Sequence, residues 1–145
     1  MRRFPISDDV IRAYRSANYR VESSGETFIL HIDQYSEALS RLLGASGYHC
    51  AALVTACNPW GKLQSSATNS VDSARLADRL RQLTGGKERI IEGAGYDPVG
   101  AWPEEKSFLV LGLDLEASKA LGREFNQNAI VWAGADAIPR LVLLG

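Results

Sequence analysis

CAALVTAC, residues 50–57, runs directly into NPWG, residues 58–61. The first segment is an unbroken apolar run of strand length, and the second joins a polar residue to proline and glycine, which end regular structure. A second strand-like run, Arg89-Ile-Ile, stops in the same way at Glu92-Gly93. Such endings are typical of core strands that deliver polar side chains to a surface cleft. Together they predict where a functional site lies.

The composition is that of an ordinary globular domain. The 145 residues predict a single domain over residues 1–145. The net charge of −1 argues against a nucleic-acid-binding protein held by bulk positive potential. No stretch approaches the roughly 18 apolar residues of a membrane span. The N-terminus lacks the apolar segment of a signal peptide, so we expect no membrane association.

Cys50 and Cys57 are the only cysteines. On one strand they would lie about 23 Å apart at ~3.3 Å per residue, too far for a disulfide between them. Two unpaired and apparently buried thiols fit a reducing compartment, so we expect a cytoplasmic protein.

The rest of the chain alternates predicted helices and strands. Helices are predicted from Ser7, over residues 36–43, from Thr68 or Asn69 to Leu83, and from Asp114. Strands are predicted around residues 19–21, 28–32, 50–57, 89–92, 107–113, 129–133 and 140–144. Residues 93–106 read as one long loop, which is uncommon and often functional.

The segments 50–57, 69–83 and 89–92 form a strand–helix–strand unit. A helical crossover within one sheet makes the two strands parallel, and parallel strands end at the same rim of the sheet. Asn58 and Glu92 are therefore expected on one rim, with Asp33 nearby, where open α/β sheets bind ligands. The predicted fold is a single mixed α/β domain. It has a partly parallel sheet, three to four flanking helices and antiparallel additions at the two chain ends.

Two glutamates are the candidate catalytic residues. Glu92 follows two isoleucines, and partial desolvation there would raise its pKa and suit general acid–base work. The alternative is a structural glutamate paired with an arginine such as Arg75. Of the adjacent Glu104 and Glu105 only one is expected to face inward, and we take Glu104 as the second carboxylate.

Four further side chains are candidate ligand contacts. Asn58 can donate and accept hydrogen bonds, although Asn-Pro is equally a turn signal. Asn69 is better explained as a helix N-cap than as a ligand contact, but both roles are kept as candidates. Gln127 lies between a helix and a buried strand without a capping role. Trp102 would supply a stacking or covering surface.

Other chemistries are not indicated. His31 and His49 stand apart from any partner at ligand spacing, so no metal site is predicted. Residues 93–98 break the dinucleotide fingerprint at its third glycine, and residues 61–63 lack the rest of a phosphate loop. Neither cysteine has a helix start or a local histidine to activate it. We therefore predict no cofactor.

Five short motifs resemble a known family. They are Thr55-Ala-Cys-Asn-Pro59, the helix of Asn69, Glu92-Gly93, Trp102-Pro-Glu-Glu105 with Ser107-Phe-Leu, and Phe125-Asn-Gln-Asn-Ala129. Together they resemble the bacterial family catalogued as domain of unknown function 3293, over about residues 8–144. Cys57 stands where the family often has an aromatic residue, and Lys106 separates the paired glutamates from the serine. The resemblance implies a small free-standing bacterial domain with no established reaction.

Two functions are consistent with the sequence. The first is binding of a small polar or nucleotide-like ligand at the rim. Whether the protein is an enzyme stays open; if it is, hydrolysis or group transfer with Glu92 as general base is expected. The second is a non-enzymatic module that binds a protein partner through a surface bearing Trp60 and Trp102.

Overall fold

A computed structural model describes residues 6–144. Within them the chain forms four α-helices, seven strands and one short 3-10 turn at Pro59–Gly61. In chain order the elements are α1 Asp8–Ser16, β1 Asn18–Ser23, β2 Glu26–Leu30, α2 Glu37–Ser46, β3 Ala51–Thr55, α3 Ser66–Thr84, β4 Ile90–Tyr96, β5 Glu105–Leu111, α4 Leu115–Glu124, β6 Ala129–Ala133 and β7 Arg140–Leu143. None of the helices in this part of the chain is long and apolar enough to cross a membrane.

All seven strands belong to one sheet with the order β2-β1-β4-β5-β3-β6-β7. Every neighbouring pair is antiparallel, so the predicted partly parallel sheet is wrong. The helical crossover through α3 does not place β4 beside β3, because β5 returns between them and pairs with both. Since β3 and β4 are each antiparallel to β5, they still run in the same direction. The predicted antiparallel pairs near the chain ends, β1–β2 and β6–β7, are confirmed.

The sheet separates two hydrophobic clusters. We call the side that carries Leu53, Leu109 and Val131 the first face; Leu39 and Leu43 of α2 pack there. The side that carries Val54, Phe108 and Ile130 is the second face, and it is covered by buried leucines of α3 and α4. The unbroken apolar run 50–57 follows from this arrangement, because a strand covered on both faces needs apolar residues at every position.

Helix ends follow the capping signals of the sequence with one exception. Ser7 and Asp114 each accept a hydrogen bond from a first-turn backbone N–H, as predicted, and Ser36 does the same for α2. The prediction for α3 was wrong, since Ser65 rather than Thr68 or Asn69 caps this helix and accepts from the Thr68 N–H. Asn69 is thereby free of a capping role and turns to the preceding loop.

The long loop predicted for residues 93–106 is shorter in the structure. β4 continues through Gly93, Ala94 and Gly95 to Tyr96, and β5 begins at Glu105. The two strands pair across this segment, from Ile90 opposite Val110 to Gly95 opposite Glu105. Gly93 had suggested a strand end. In the structure it lies inside β4, and because it has no side chain, the backbone of β1 can approach closely there.

Candidate functional site

A cavity of about 250 Å³ opens on the first face of the sheet, beside the end of β3. The sheet forms its floor. Its walls come from α1, from the turn at residues 58–63 and from the loop between β4 and β5. The lining residues are Val10, Ala13, Tyr14, Tyr19, Leu53, Val54, Thr55, Cys57, Asn58, Gly61, Leu63, Gly95, Trp102, Pro103, Glu105, Ser107, Gln127, Ala129, Ile130, Val131 and Leu141. We call it the Glu105 cavity.

Glu105 is the acidic residue of this lining. It is partly buried, and its Oε2 accepts a hydrogen bond of 2.6 Å from Asn58 Nδ2. Burial raises the pKa of the Glu105 carboxyl, and the Asn58 hydrogen bond lowers it by a smaller amount. Burial also raises the pKa of the Tyr19 hydroxyl, to which the nearby Tyr14 and Glu105 add. The cavity therefore holds a carboxyl that Asn58 orients and that no cationic side chain of the described lining pairs with.

The strand register explains how Glu105 and Asn58 meet. Side chains alternate along β5, so Glu105 lies on the same face as Ser107 and Leu109. Ser107 pairs with Thr55, the last residue of β3. The residues just after β3 are therefore level with Glu105.

Asn58 is the centre of a buried hydrogen-bond network. Only 5% of it is exposed. Its Oδ1 accepts from the Gln64 backbone N–H and from Asn69 Nδ2, each at 3.0 Å, and its own N–H donates to Asn69 Oδ1. Gln64 Nε2 in turn donates to Asn69 Oδ1 at 2.6 Å and to Asp72 Oδ2 at 2.9 Å. These bonds tie the wall of the cavity to α3.

The turn itself requires residues that tolerate a left-handed backbone. Asn58 has φ 48° and Trp60 has φ 59°. Asparagine tolerates this conformation better than most residues, because its short polar side chain can hydrogen-bond locally. The Trp60 N–H donates to the Asn126 carbonyl at 2.8 Å, which fixes the turn against the end of α4.

Gln127 lies in the cavity wall with 8% of its surface exposed. Its Nε2 donates to the Cys57 carbonyl at 3.1 Å and to the Phe125 carbonyl at 3.3 Å. Within residues 6–144 no group donates to its Oε1. The side chain thus stabilises the turn and leaves an acceptor unused.

Glu92 does not line this cavity. It lies inside β4 rather than after it, opposite Phe108 and on the second face, where it pairs with Lys106 Nζ. Its side chain is 64% exposed. The predicted common rim for Asn58 and Glu92 is therefore wrong, although β3 and β4 run the same way. The alternative of a structural ion pair describes Glu92, with Lys106 in place of Arg75.

Glu104 also lies outside the Glu105 cavity. Its carboxylate accepts two hydrogen bonds from Arg20, of 3.0 and 2.9 Å, and this ion pair lowers the pKa of Glu104. Only one of the two adjacent glutamates faces inward, as expected, but it is Glu105. Asp33 is likewise absent from the cavity lining and forms an ion pair of 3.1 Å with Arg15.

The predicted ligand contacts fall into two groups. Asn58, Trp102 and Gln127 line the Glu105 cavity, whereas Asn69 lies behind Asn58 and, together with it, lines a second, more polar cavity of about 270 Å³. Glu104 and Lys106 also line this second cavity. In the described part of the chain no three His, Cys, Asp or Glu side chains cluster closely enough to hold a metal ion.

The Glu105 carboxyl should make stability depend on pH. Its folded-state pKa lies above the ordinary value of 4.5, so the folded chain binds more protons than the unfolded chain between the two values. The free energy of unfolding should therefore fall as the pH rises from about 4.5 through the raised pKa. Glu105→Gln keeps an acceptor for Asn58 and should remove this fall.

Urea unfolding of both proteins from about pH 4 to about pH 8 measures the effect. Stability of Glu105→Gln relative to the parent should increase with pH. Glu104→Gln is the matched control with the opposite sign, since the pKa of Glu104 is lowered and its contribution is lost at acid pH. A relative stability of Glu105→Gln that stays constant or decreases with pH contradicts a desolvated carboxyl.

A family model matches the chain over residues 54–130, slightly more than half of its length. The matched segment includes Asn58, Glu105 and Gln127 but not α1, β1 or β7. No curated protein and no solved structure matches the chain. The model is described as a protein of unknown function, DUF3293, so the resemblance is confirmed and the chain belongs to that family.

Proposed function

We propose that the chain binds a small molecule in the Glu105 cavity. The observation that carries this proposal is a carboxyl aimed by Asn58 within a largely apolar lining. Burying an uncompensated carboxyl costs stability, as its raised pKa indicates. Small-molecule sites combine mostly apolar walls with a few placed polar groups in this way.

The size of the cavity limits the ligand. Its volume of about 250 Å³ lies just below the roughly 300–1,000 Å³ of sites for drug-sized molecules. A metabolite of modest size fits. The described lining carries no lysine, arginine or histidine to bind phosphates, so the nucleotide-like ligand expected from the sequence is not favoured.

The roles of the predicted residues change accordingly. Asn58, Gln127 and Trp102 keep their proposed ligand contacts, and Asn69 holds Asn58 in place. Glu105 replaces Glu92 and Glu104 as the proposed acidic group of the site, because both of those carboxylates already form ion pairs with cationic side chains.

A metabolite screen by thermal shift tests the proposal. We expect at least one stabiliser, and a ligand at about 100 times its Kd adds about 2.7 kcal/mol to the free energy of unfolding. Cys57, which is 4% exposed and lines both this cavity and the second one, reports whether the compound binds at either. In a Cys50→Ser background the stabiliser should slow alkylation of Cys57 by a maleimide.

Ala13→Phe is the variant that blocks the site. Ala13 lines the cavity from α1, a helix in which no residue is fully buried, so the larger side chain can enter the cavity without disturbing the core. This variant should fold and lose the response, whereas Glu104→Gln should keep it. If the stabilisers act equally on Ala13→Phe, or leave Cys57 alkylation unchanged, they bind elsewhere and the proposal fails.

Acid–base catalysis in the same cavity is a second candidate. It is favoured by the raised pKa of Glu105, since a general acid or base works best when its pKa is near the operating pH. Conversion of a stabilising compound, followed by NMR, distinguishes catalysis from binding.

The alternative of a tryptophan-bearing docking surface has less support. Trp60 and Trp102 are both partly buried, and Trp102 packs against the cluster on the first face. They do not form the exposed patch on which that hypothesis depends.

A further inference from the structure

Within residues 6–144 the charge of the Glu105 cavity is unbalanced. Among residues 6–144 the lining contains one carboxyl and no lysine, arginine or histidine. The other titratable side chains of the described lining are Tyr14 from α1, Tyr19 from β1 and Cys57 after β3. None of these supplies a positive charge, so the ionised carboxylate has no countercharge from the described lining.

The hydrogen-bonding groups of the cavity show a second imbalance. Three side-chain donors of the lining are already used: Asn58 Nδ2 donates to Glu105, Gln127 Nε2 donates to two backbone carbonyls, and the Tyr19 hydroxyl donates to the Tyr14 carbonyl at 2.5 Å. Glu105 Oε1 and Gln127 Oε1 receive no hydrogen bond from any described residue. These two oxygens are acceptors, so a ligand group that binds them must bring donors.

Aromatic side chains supply a third feature. Tyr14, Tyr19 and Trp102 all line the cavity. Aromatic rings attract cations through their quadrupoles, by about 0.5–2 kcal/mol depending on desolvation. An anion gains nothing from rings or from a carboxylate, and a metal ion would need more ligands than one carboxylate supplies.

From these three features we propose that the ligand of the cavity is a small organic cation, a primary amine on an apolar body, whose ammonium group binds Glu105. This inference rests on the proposed function, because it names the class of molecule bound at the same site. The ammonium group supplies the countercharge that the described lining lacks and several N–H donors, and the apolar body contacts Leu53 and Val131 on the floor of the cavity.

Two sets of matched probes test the ligand class. Phenethylamine, phenethyl alcohol and phenylacetate share one body and differ in the polar group; hexylamine, hexanol and hexanoate repeat the comparison without a ring. Binding is followed by NMR titration of the whole chain. At least one amine should bind about tenfold or more tightly than its alcohol, and neither acid should bind at neutral pH.

Glu105→Gln should abolish the preference of the cavity for amine over alcohol while leaving alcohol binding in place. Glu104→Gln, one residue away on the outer surface, should retain it. Amine affinity should also rise with pH through the raised pKa of Glu105, since only the ionised carboxylate pairs with ammonium. This pH dependence should be absent from Glu105→Gln.

The outcomes separate this inference from the proposed function. If an alcohol or acid binds as tightly as its amine, or if Glu105→Gln keeps the preference, the cavity binds ligands but not organic cations. If no amine binds at millimolar concentration, the cation proposal is overturned. In that case a neutral stabiliser from the thermal-shift screen whose effect is lost in Ala13→Phe still supports small-molecule binding in this cavity.

Discussion

Replacing Asn58 with alanine should lower the free energy of unfolding by about 3 kcal/mol. The change removes the acceptor for the Gln64 N–H and Asn69 Nδ2 and the donor to Glu105. Buried groups that lose their partners cost about 1–3 kcal/mol each, and part of this is recovered where water reaches them. Alanine must also adopt the left-handed conformation at φ 48°, which costs about 1 kcal/mol more.

Asn58→Gly separates the two contributions. Glycine loses the same hydrogen bonds but adopts positive φ without a steric cost, so it should be about 1 kcal/mol more stable than the alanine variant. Both variants are compared with the parent by urea unfolding. Since the Asn58 hydrogen bond lowers the pKa of Glu105, both should also raise that pKa further, which a ¹³C-carboxyl NMR titration follows. Losses below about 0.5 kcal/mol in both would show that the network does not stabilise the turn.

Of the two hydrogen-bonded residues at the centre of the site, the sequence predicted Asn58 but not Glu105. Asn58 was a candidate because it directly follows a buried strand, although Asn-Pro was equally a turn signal. Glu105 was passed over for Glu104 because the start of β5 was placed at Ser107. The signal was present: counting in twos from Leu109 through Ser107 reaches Glu105, so this residue shares the cavity face.

Strand direction could not be obtained from the same patterns. β3 and β5 are apolar on both faces, and such runs are typical of parallel strands in α/β proteins. Here an antiparallel sheet is covered on both sides by helices, which produces the same composition. What decides the order is the insertion of β5 between β4 and β3, a long-range pairing for which the sequence carries no local signal.

Gly93 was interpreted as a strand end and is instead a position inside β4. Glycine favours breaks in regular structure, but it also occurs in strands where another backbone approaches closely. These two roles look alike in one sequence. The Glu92-Gly93 motif therefore marks the close approach of β1 to β4 and not a cleft. Because Glu92 lies inside β4, its side chain pairs with Lys106 on the surface of the sheet.

Gly93→Ala should destabilise the fold by about 3 kcal/mol or more. A Cβ at this position would lie 2.3 Å from the backbone carbonyl oxygen of Arg20. No side-chain rotation relieves that contact, so β1 must move away from β4. Displacement of β1 would break the β1–β4 pairs and move Tyr19 out of the cavity wall. Urea unfolding measures the loss, and amide chemical shifts of β1 locate it.

Gly95→Ala is the matched control, two residues further along the same strand and on the same face. Its Cβ would meet only the Tyr19 ring, at 3.4 Å, which is ordinary van der Waals contact. We expect a change below about 1 kcal/mol, since a side chain can turn aside where a backbone carbonyl cannot. If the two alanines cost the same, then glycine flexibility rather than the approach of β1 explains Gly93. The β1 wall of the cavity would then not depend on that contact.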